Sequence, residues 1–252
     1  MTHYLELIRY RALAELKMEL SRLYLGMLWW VFEPILYMTA FYVVFDLLFQ
    51  RGGEGFIGFL LCGLVPWKWF GSAISNASKS LDANAALIRQ VYVPKIIFPA
   101  IVVLTGFYKF LVVLVLLMGF LWVYGYPPNS AWVALPLVVL VNFMLVLGGA
   151  SLMAFFMPFL PDLKMVLDNM LVLLMFLSGI FFDIRQLSVE QQGWFELNPV
   201  ATLFTLYRTV LLDAEWPLWG DLFGLGLLGL VLFVMSFTLF RRYDRVFPIV
   251  IG

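Results

Sequence analysis

The chain has 252 residues, of which 63% are hydrophobic and 13% are charged, and its mean hydropathy is +0.97. A soluble domain carries about 25% charged residues, so this composition excludes a water-soluble globular protein. The net charge is zero, and the single cysteine, Cys62, excludes an intrachain disulfide. Because the apolar residues form long runs without two-residue alternation, we expect an all-α integral membrane protein.

The first 26 residues carry seven charges and lack the compact apolar core of a cleavable signal peptide. Their pattern predicts an amphipathic helix along the inner membrane surface, although Arg9 and Glu19 interrupt its apolar face. This helix would serve as a plain interfacial anchor or as a docking surface for a cytoplasmic partner. Its apolar residues recur every three or four positions: Leu5, Ile8, Ala12, Leu16, Leu20 and Leu23.

Six later stretches are long enough to cross a membrane, because a spanning helix needs roughly 20 apolar residues. We therefore predict six transmembrane helices, with spans one to five within residues 27–182 and span six at residues 218–240. The stretches run from about Met27 to Phe49, Phe56 to Ser78, Ile96 to Val123, Ala131 to Phe159, Met165 to Phe182 and Leu218 to Phe240.

The basic residues outside the spans predict the orientation. With the N-terminus inside, eleven lie on the cytoplasmic side and only three, Arg51, Arg185 and Arg208, lie outside. The positive-inside rule therefore places both termini in the cytoplasm. The eleven are Arg9, Arg11, Lys17, Arg22, Lys79, Arg89, Lys95, Lys164, Arg241, Arg242 and Arg245.

Residues 80–95 connect spans two and three on the predicted cytoplasmic side. Leu87, Ile88 and Val91 form a short apolar face, and Pro94 ends the element because proline disfavours helix at the preceding residue. Such a short helix, projecting from the membrane, fits a groove on a soluble subunit. The alternative is a simple turn between two spans.

The longest predicted outer segment covers residues 183–217. Asn198 and Pro199 indicate a helix start, with asparagine as N-cap and proline at the first helical position. The apolar run that follows, residues 200–212, is too short to cross the membrane, so we expect a re-entrant or interfacial helix. Irregular backbone at membrane depth requires burial in protein or a wet cavity, which makes this segment a candidate pathway mouth.

The sequence contains no recognisable catalytic machinery. It has no GxxxxGK[ST] phosphate loop, and its only histidine is His3, so neither ATP binding by that route nor a metal site is expected. No serine, histidine and carboxylate set can be assembled. We therefore expect no enzymatic activity and no cofactor in this chain.

Five segments carry a family resemblance. Residues 22–34 resemble the "RY…LGxLWxxxxP" start of the first span of ABC-2-type polysaccharide export permeases, the membrane subunits of O-antigen, capsule and teichoic-acid exporters. Residues 63–67 are similar to "GLxPW", 84–95 to the cytoplasmic "NxxLIxxxxFP" loop, 198–208 to "NPxxxxxxxxR", and 240–242 to "FrR". Their order and spacing cover nearly the whole chain.

The resemblance implies an ABC-2 exporter fold: one domain over residues 1–252, with a helix at 1–26, an outer re-entrant element at 183–217 and a tail at 241–252. It also implies a homodimer in the cytoplasmic (inner) membrane, paired with two ATP-binding subunits and moving a lipid-linked polysaccharide; nucleic acid is not expected. The N-terminal helix would be a second ATPase contact. The implied coupling residues are Asn84, Leu87, Ile88, Arg89, Val91, Tyr92, Pro94 and Lys95.

Charges inside the spans are candidates for a translocation path. Glu33, Lys68, Lys109 and Asp168 lie there, where an unpaired charge costs at least about 2.5–3.5 kcal/mol, so they should face protein or water. They either pair structurally or line the path. Gly220-x-x-x-Gly224 is weak evidence for a dimer seam, and Gly148, Gly149, Gly226 and Gly229 also mark faces for close helix packing.

Aromatic rings suit the apolar faces of sugars, and the chain has 25 Phe, 11 Tyr and 9 Trp. The alternative is the aromatic belt of ordinary membrane proteins. The candidate rings for the path are Trp29, Trp30, Tyr37, Tyr42, Trp67, Trp69 and Phe70. We assign all of these except Trp29 and Trp30 to the path, together with the charged residues Glu33 and Lys68.

Three other functions compete with polysaccharide export. An ABC-2 permease for a drug or another lipid has the same architecture. A membrane-embedded glycan or lipid transferase would need acidic residues or histidines clustered at one interface. A secondary transporter would usually show internal repeats, and no three-plus-three repeat is evident.

Overall fold

The computed structural model is mainly helical in the residues that it describes. The described backbone contains no strand, and short irregular connections such as residues 126–129 and 214–218 link its helices, so the expected all-α class is confirmed. The structure describes residues 2–22, 28–29, 32, 35–36, 39–40, 43–44 and 55–251.

Eleven α-helices have defined bounds within these ranges, with short 3₁₀ turns at Ser130–Ala134 and Ile184–Gln186. The helices are α1 Thr2–Arg22, α2 Phe56–Ser78, α3 Ser80–Ala83, α4 Ala85–Gln90, α5 Ile97–Val123, α6 Leu135–Phe156, α7 Leu163–Phe176, α8 Val189–Glu196, α9 Pro199–Leu211, α10 Trp219–Tyr243 and α11 Phe247–Val250.

Four segments of the described chain are long and apolar enough to cross a membrane: α2, Ser130–Phe156 (the 3₁₀ turn with α6), α5 and α10. They coincide with predicted spans two, four, three and six. The chain is therefore a multi-pass membrane protein. Predicted span one, residues 27–49, lies mostly outside the described residues.

The predicted fifth span differs from the structure. Its helix, α7, has 14 residues, which at 1.5 Å per residue covers about 21 Å of a hydrocarbon core about 30 Å thick. The chain then leaves the helix at Leu177 and turns at Gly179, whose φ of +65° favours glycine. Spans one and five, and with them the total of six spanning helices, thus stay predictions.

The core of the bundle is built around α2, which packs against α5, α6 and α9. The helices α6 and α10 approach at backbone distance, because a Cβ added at Gly148 would lie 2.8 Å from the Gly229 carbonyl oxygen. Such contact requires residues without side chains. Much of α10 remains outside the core, and α7 reaches it only through partly buried side chains such as Leu167, Leu171 and Leu174.

The N-terminal helix packs lengthwise against α5. Ala12 is fully buried against Ile97 and Ile101, and Glu19 forms an ion pair with Lys109. Because the contact positions advance together along both helices, α1 runs parallel to the first half of α5. Its predicted placement at the membrane surface stays a prediction.

Candidate functional site

The connection between α2 and α5, which we call the coupling segment (residues 80–95), forms two short helices. They meet at Asn84, whose Oδ1 accepts a hydrogen bond from Arg11 Nη2 at 3.3 Å, and whose Nδ2 donates to the Ser80 carbonyl at 2.8 Å. The segment follows α2 directly, since Lys79 is both the C-cap of α2 and the N-cap of α3. The segment is therefore bonded to α1 and joined directly to α2.

The apolar residues of the coupling segment divide between two environments. Leu81 and Ile88 are buried in a small core with Phe155, Phe240 and Phe247, at the ends of α6 and α10. Leu87 packs against this core, whereas Val91 and Tyr92 are 53% and 70% exposed. Ile88 therefore faces this chain's own interior, and Val91 and Tyr92 are the side chains available to a partner.

The end of the coupling segment is held by a buried ion pair. Lys95 is 2% exposed; its Nζ lies 3.3 Å from Asp244 Oδ2, and its backbone N–H donates to Asp244 Oδ1 at 3.1 Å. The Lys95 ammonium also lies 4.8 Å from the centre of the Tyr92 ring. The pKa of the Tyr92 phenol is raised, first because the phenol hydrogen-bonds to the Asp244 carboxylate and then because the negative charge of that carboxylate disfavours a phenolate. Pro94 directly precedes this site and is half-buried.

A polar cavity of about 490 Å³ lies between α1, α2 and α5. It brings Lys68 and Lys109, two of the predicted intramembrane charges, to one place, together with Glu15 and Glu19 of α1. Burial raises the pKa of the Glu15 carboxyl, and Arg11 opposes the shift. The remaining polar side chains of its wall are Ser72, Asn76 and Thr105.

The predicted path residues have different positions. Trp67, Trp69 and Phe70 are at most 7% exposed, and of the three only Trp69 lines the polar cavity. Trp69 stacks on Phe110 at 4.8 Å between ring centres, and Trp67 stacks on Phe70 at 5.8 Å. Trp29 also lines this cavity. The other assigned positions, Glu33, Tyr37 and Tyr42, lie outside the described residues, as does Trp30.

The fourth predicted intramembrane charge, Asp168, lies on α7. Its Oδ1 accepts a hydrogen bond from Ser75 Oγ of α2 at 2.9 Å. No residue of α7 is buried within the described chain. The helix therefore presents most of its side chains to lipid or to another protein.

The predicted outer element begins as its sequence indicates. Asn198 caps α9 by accepting a hydrogen bond from the Val200 N–H at 3.0 Å, and Pro199 occupies the first turn. The Asn198 amide also donates to the Leu177 carbonyl at 3.0 Å, so the cap ties α9 to the end of α7. Burial of nine residues places α9 in the core. Its re-entrant position in a membrane stays a prediction.

Arg208 is only 4% exposed, and its guanidinium donates hydrogen bonds to three backbone carbonyls. Its Nη1 donates to Gly179 O at 2.8 Å, its Nη2 to Ile180 O at 3.1 Å, and its Nε to Phe59 O at 3.3 Å. The guanidinium also lies 3.5 Å from the centre of the Phe59 ring. Arg208 therefore joins α2, α9 and the turn after α7.

Two features of the site were missed from the sequence. Asp244 and Phe247 complete the buried ion pair and the small core, yet both looked like ordinary tail residues. The signal for Asp244 was a single acidic residue within a basic stretch, two positions after Arg242 and directly before Arg245. The interruption of the apolar face of α1 by Glu19 was likewise the signal for its ion pair with Lys109.

Comparison with known proteins supports the resemblance found in the motifs. The chain is 26% identical over 244 residues to the O-antigen export system permease protein RfbA of Myxococcus xanthus, covering 94% of both chains. It is 26% identical to the protein of that name from Klebsiella pneumoniae, over 90% of this chain and 88% of that one. It is 25% identical to the polysialic acid transport protein KpsM of Escherichia coli, over 92% of both. No family model matches the chain. The resemblance to polysaccharide export permeases is thus confirmed.

Proposed function

We propose that this relative of O-antigen and polysialic acid permeases is the membrane-spanning subunit of an ATP-driven ABC exporter. Its cargo is a lipid-linked polysaccharide, of the O-antigen, capsule or teichoic-acid class, that crosses the cytoplasmic membrane. The observation that carries the proposal is similarity over 94% of the chain to an O-antigen export permease. The apolar spanning helices support it independently, because they fit a membrane subunit.

We further propose a homodimer with six spans per chain, both termini in the cytoplasm and two ATPase subunits on that side. The excess of basic residues at the predicted cytoplasmic end supports this orientation. The exposed side chains of α7 and α10 supply apolar surface for lipid and for a second copy. The element around Asn198, Pro199 and Arg208 would then lie at the outer end, dipping into the membrane as a re-entrant helix.

The proposed coupling residues would transmit ATPase closure to the spans. Val91 and Tyr92 would contact the ATPase, with Leu87 and Arg89 beside them, while Ile88, Asn84, Pro94 and Lys95 hold the segment on the bundle. The segment is continuous with α2 at one end and α5 at the other. These two helices carry Lys68 and Lys109, so a movement at the segment reaches the polar cavity.

The proposed translocation path follows the charges and rings of spans one and two. Lys68 and Trp69 support this assignment because both line the polar cavity, and polar groups at membrane depth should face water or protein. Trp67 and Phe70 would join the path when α2 moves. Span one would contribute Glu33, Tyr37 and Tyr42 to it. In this proposal the chain binds no cofactor, and ATP with its magnesium is held by the partner.

The proposal is tested in cells that lack the chain but retain its ATPase partner. We expect lipid-linked glycan to accumulate inside, and the intact chain to restore surface glycan. A matched variant, with residues 85–92 replaced by a glycine and serine linker, should reach the membrane without restoring export.

The purified chain alone should show no ATPase activity, and ATPase activity should appear when the partner is added. Normal surface glycan in cells without the chain would contradict the proposal; a change in drug sensitivity instead would favour the drug permease.

A further inference from the structure

The chain after the last span folds back onto the coupling segment. We call residues 244–251 the C-terminal tail. It begins with Asp244, which holds Lys95, and it continues into the short helix α11. Near its end the Ile251 carbonyl accepts a hydrogen bond from Arg89 Nη2 at 2.8 Å. Both ends of the tail are therefore bonded to the coupling segment.

The middle of the tail is anchored by a buried ring. Phe247 is fully buried, 5.6 Å from Phe155 and 5.4 Å from Phe240 between ring centres. Leu81 and Ile88 of the coupling segment belong to the same core. The tail and the coupling segment are thus two parts of one packed unit at the end of α6 and α10.

This unit presents exposed apolar side chains beyond the basic end of α10. Arg241 and Arg242 in the last turn of α10 mark the edge of the membrane, since basic residues gather at the cytoplasmic boundary. The tail lies beyond them, yet Ile249 is 80% exposed; on the coupling segment Tyr92 is 70% exposed. Apolar side chains in water next to a proposed contact site indicate a protein partner.

We infer that the C-terminal tail is the second half of the docking surface for the ATPase subunit, held in place beside the coupling segment by the Lys95–Asp244 pair. This inference rests on the proposed function. It adds to the coupling segment a contact that belongs to the last span, so ATPase closure acts on α10 as well as on α2 and α5. Asp244 acts as a positioning residue and Ile249 as a contact.

Cysteine labelling of the assembled complex tests the surface, because the native Cys62 is buried. The variants are Ile249→Cys in the tail, Tyr92→Cys in the coupling segment, and Val189→Cys, a control that is 87% exposed on the predicted outer side. With a water-soluble maleimide, we expect the ATPase to slow labelling of the first two by about tenfold, as burial in an interface does. Labelling of the control should not change.

The outcomes separate the two proposals. Protection of Tyr92→Cys without protection of Ile249→Cys would overturn the role of the tail and leave the proposed function intact. Protection of neither would count against the coupling site itself, and with it against the tail.

The positioning role of Asp244 has its own test. Asp244→Asn should weaken ATPase binding by about tenfold, which corresponds to 1.4 kcal/mol. Asp244→Glu keeps the carboxylate and should retain most of the affinity. Binding is measured on the detergent-purified chain, whose unfolding midpoint is recorded in parallel. Wild-type affinity of Asp244→Asn, with Ile249→Cys still protected in that background, would show that the ion pair does not position the tail.

Discussion

Two regions of the molecule bury a cation, and they do so with different partners. In the first region, formed by α2, α6, α9, α10 and the turn after α7, Arg208 donates to three backbone carbonyls. In the second, formed by α1, α5, the coupling segment and the C-terminal tail, the buried Lys95 pairs with Asp244, and the partly buried Lys109 pairs with Glu19.

The two kinds of contact differ in how readily they allow the helices around them to move. Backbone carbonyls inside a packed bundle have no alternative partner in lipid, so the contacts of Arg208 fix the first region. The carboxylates of Asp244 and Glu19 are 13% and 39% exposed, so water can replace their partners when the two elements separate. The second region is therefore the one suited to transmit movement, and the first is suited to resist it.

The largest expected effect is the loss of Arg208. Arg208→Met removes the only charged donor of three backbone carbonyls and leaves those of Gly179 and Ile180 without this buried partner, so we expect the free energy of unfolding to fall by about 4 kcal/mol. The matched control is Arg185→Met, which removes an exposed arginine from Asp183 and Asp213 and should cost under about 1 kcal/mol. Denaturant unfolding in detergent micelles measures both. Equal effects would show that the carbonyl contacts of Arg208 do not fix the first region.

The next effect concerns the buried pair of the second region. Lys95→Met or Asp244→Asn alone leaves the other member of the buried pair without its partner. Each substitution should lower the free energy of unfolding by about 3 kcal/mol. The double variant should cost clearly less than the sum, because neither charge remains. Unfolding of all four proteins gives the coupling energy. Simple additivity would mean that the two side chains do not stabilise each other.

A smaller effect is expected where α6 meets α10. Gly148→Ala places a methyl group 2.8 Å from the Gly229 carbonyl oxygen and should destabilise the chain by about 2 kcal/mol. Gly224→Ala is the matched control, since no described atom lies within 4 Å of its added methyl group. Thermal unfolding compares the two, and cross-linking shows whether Gly224 belongs to the predicted dimer seam. A stable Gly148→Ala protein would contradict rigid packing in the first region.

The smallest effect concerns Glu15 in the second region. Burial raises its pKa, so the folded chain binds this proton more tightly than the unfolded chain. Its contribution to stability is therefore lost as pH rises from the unfolded pKa through the folded pKa. Glu15→Gln should be slightly more stable than wild type at neutral pH, because the cost of burying the charge disappears.

The measurement for Glu15 is unfolding between about pH 4 and 8, a range that covers carboxylate titration. The two proteins should converge toward the acid end. The effect is small because the side chain is 35% exposed and solvent screens its charge. If the stability curves of the two proteins stay parallel over this pH range, ionisation of Glu15 does not contribute to the pH dependence.

Local patterns were enough to predict much of the fold. The apolar run from Phe56 to Ser78 matches α2, and the Asn198 cap sets the start of α9. Both depend on residues close together in sequence: continuous hydrophobicity for a lipid-embedded helix, and a side chain that bonds to the next backbone N–H groups. The exit from α7 was missed because its apolar run continues past the point where Gly179 turns the chain.

Long-range contacts were not available from the sequence. The pairs Lys95–Asp244 and Arg208–Phe59 each join positions 149 residues apart, and no local pattern specifies either. The inward direction of Ile88 has the same origin, because an apolar face on a short helix does not reveal which surface covers it. The motifs therefore indicated where the candidate site lies, and packing determined which side chains it presents.

The contact between α1 and α5 also affects the order in which the protein is made. Glu19 leaves the ribosome 90 residues before Lys109, its ion-pair partner. The contact between the two helices can therefore form only after this part of α5 has been synthesised. We expect a chain shortened at its N-terminus to lose this ion pair for Lys109 and to insert α5 less efficiently, because a charge at membrane depth needs a protein or water partner.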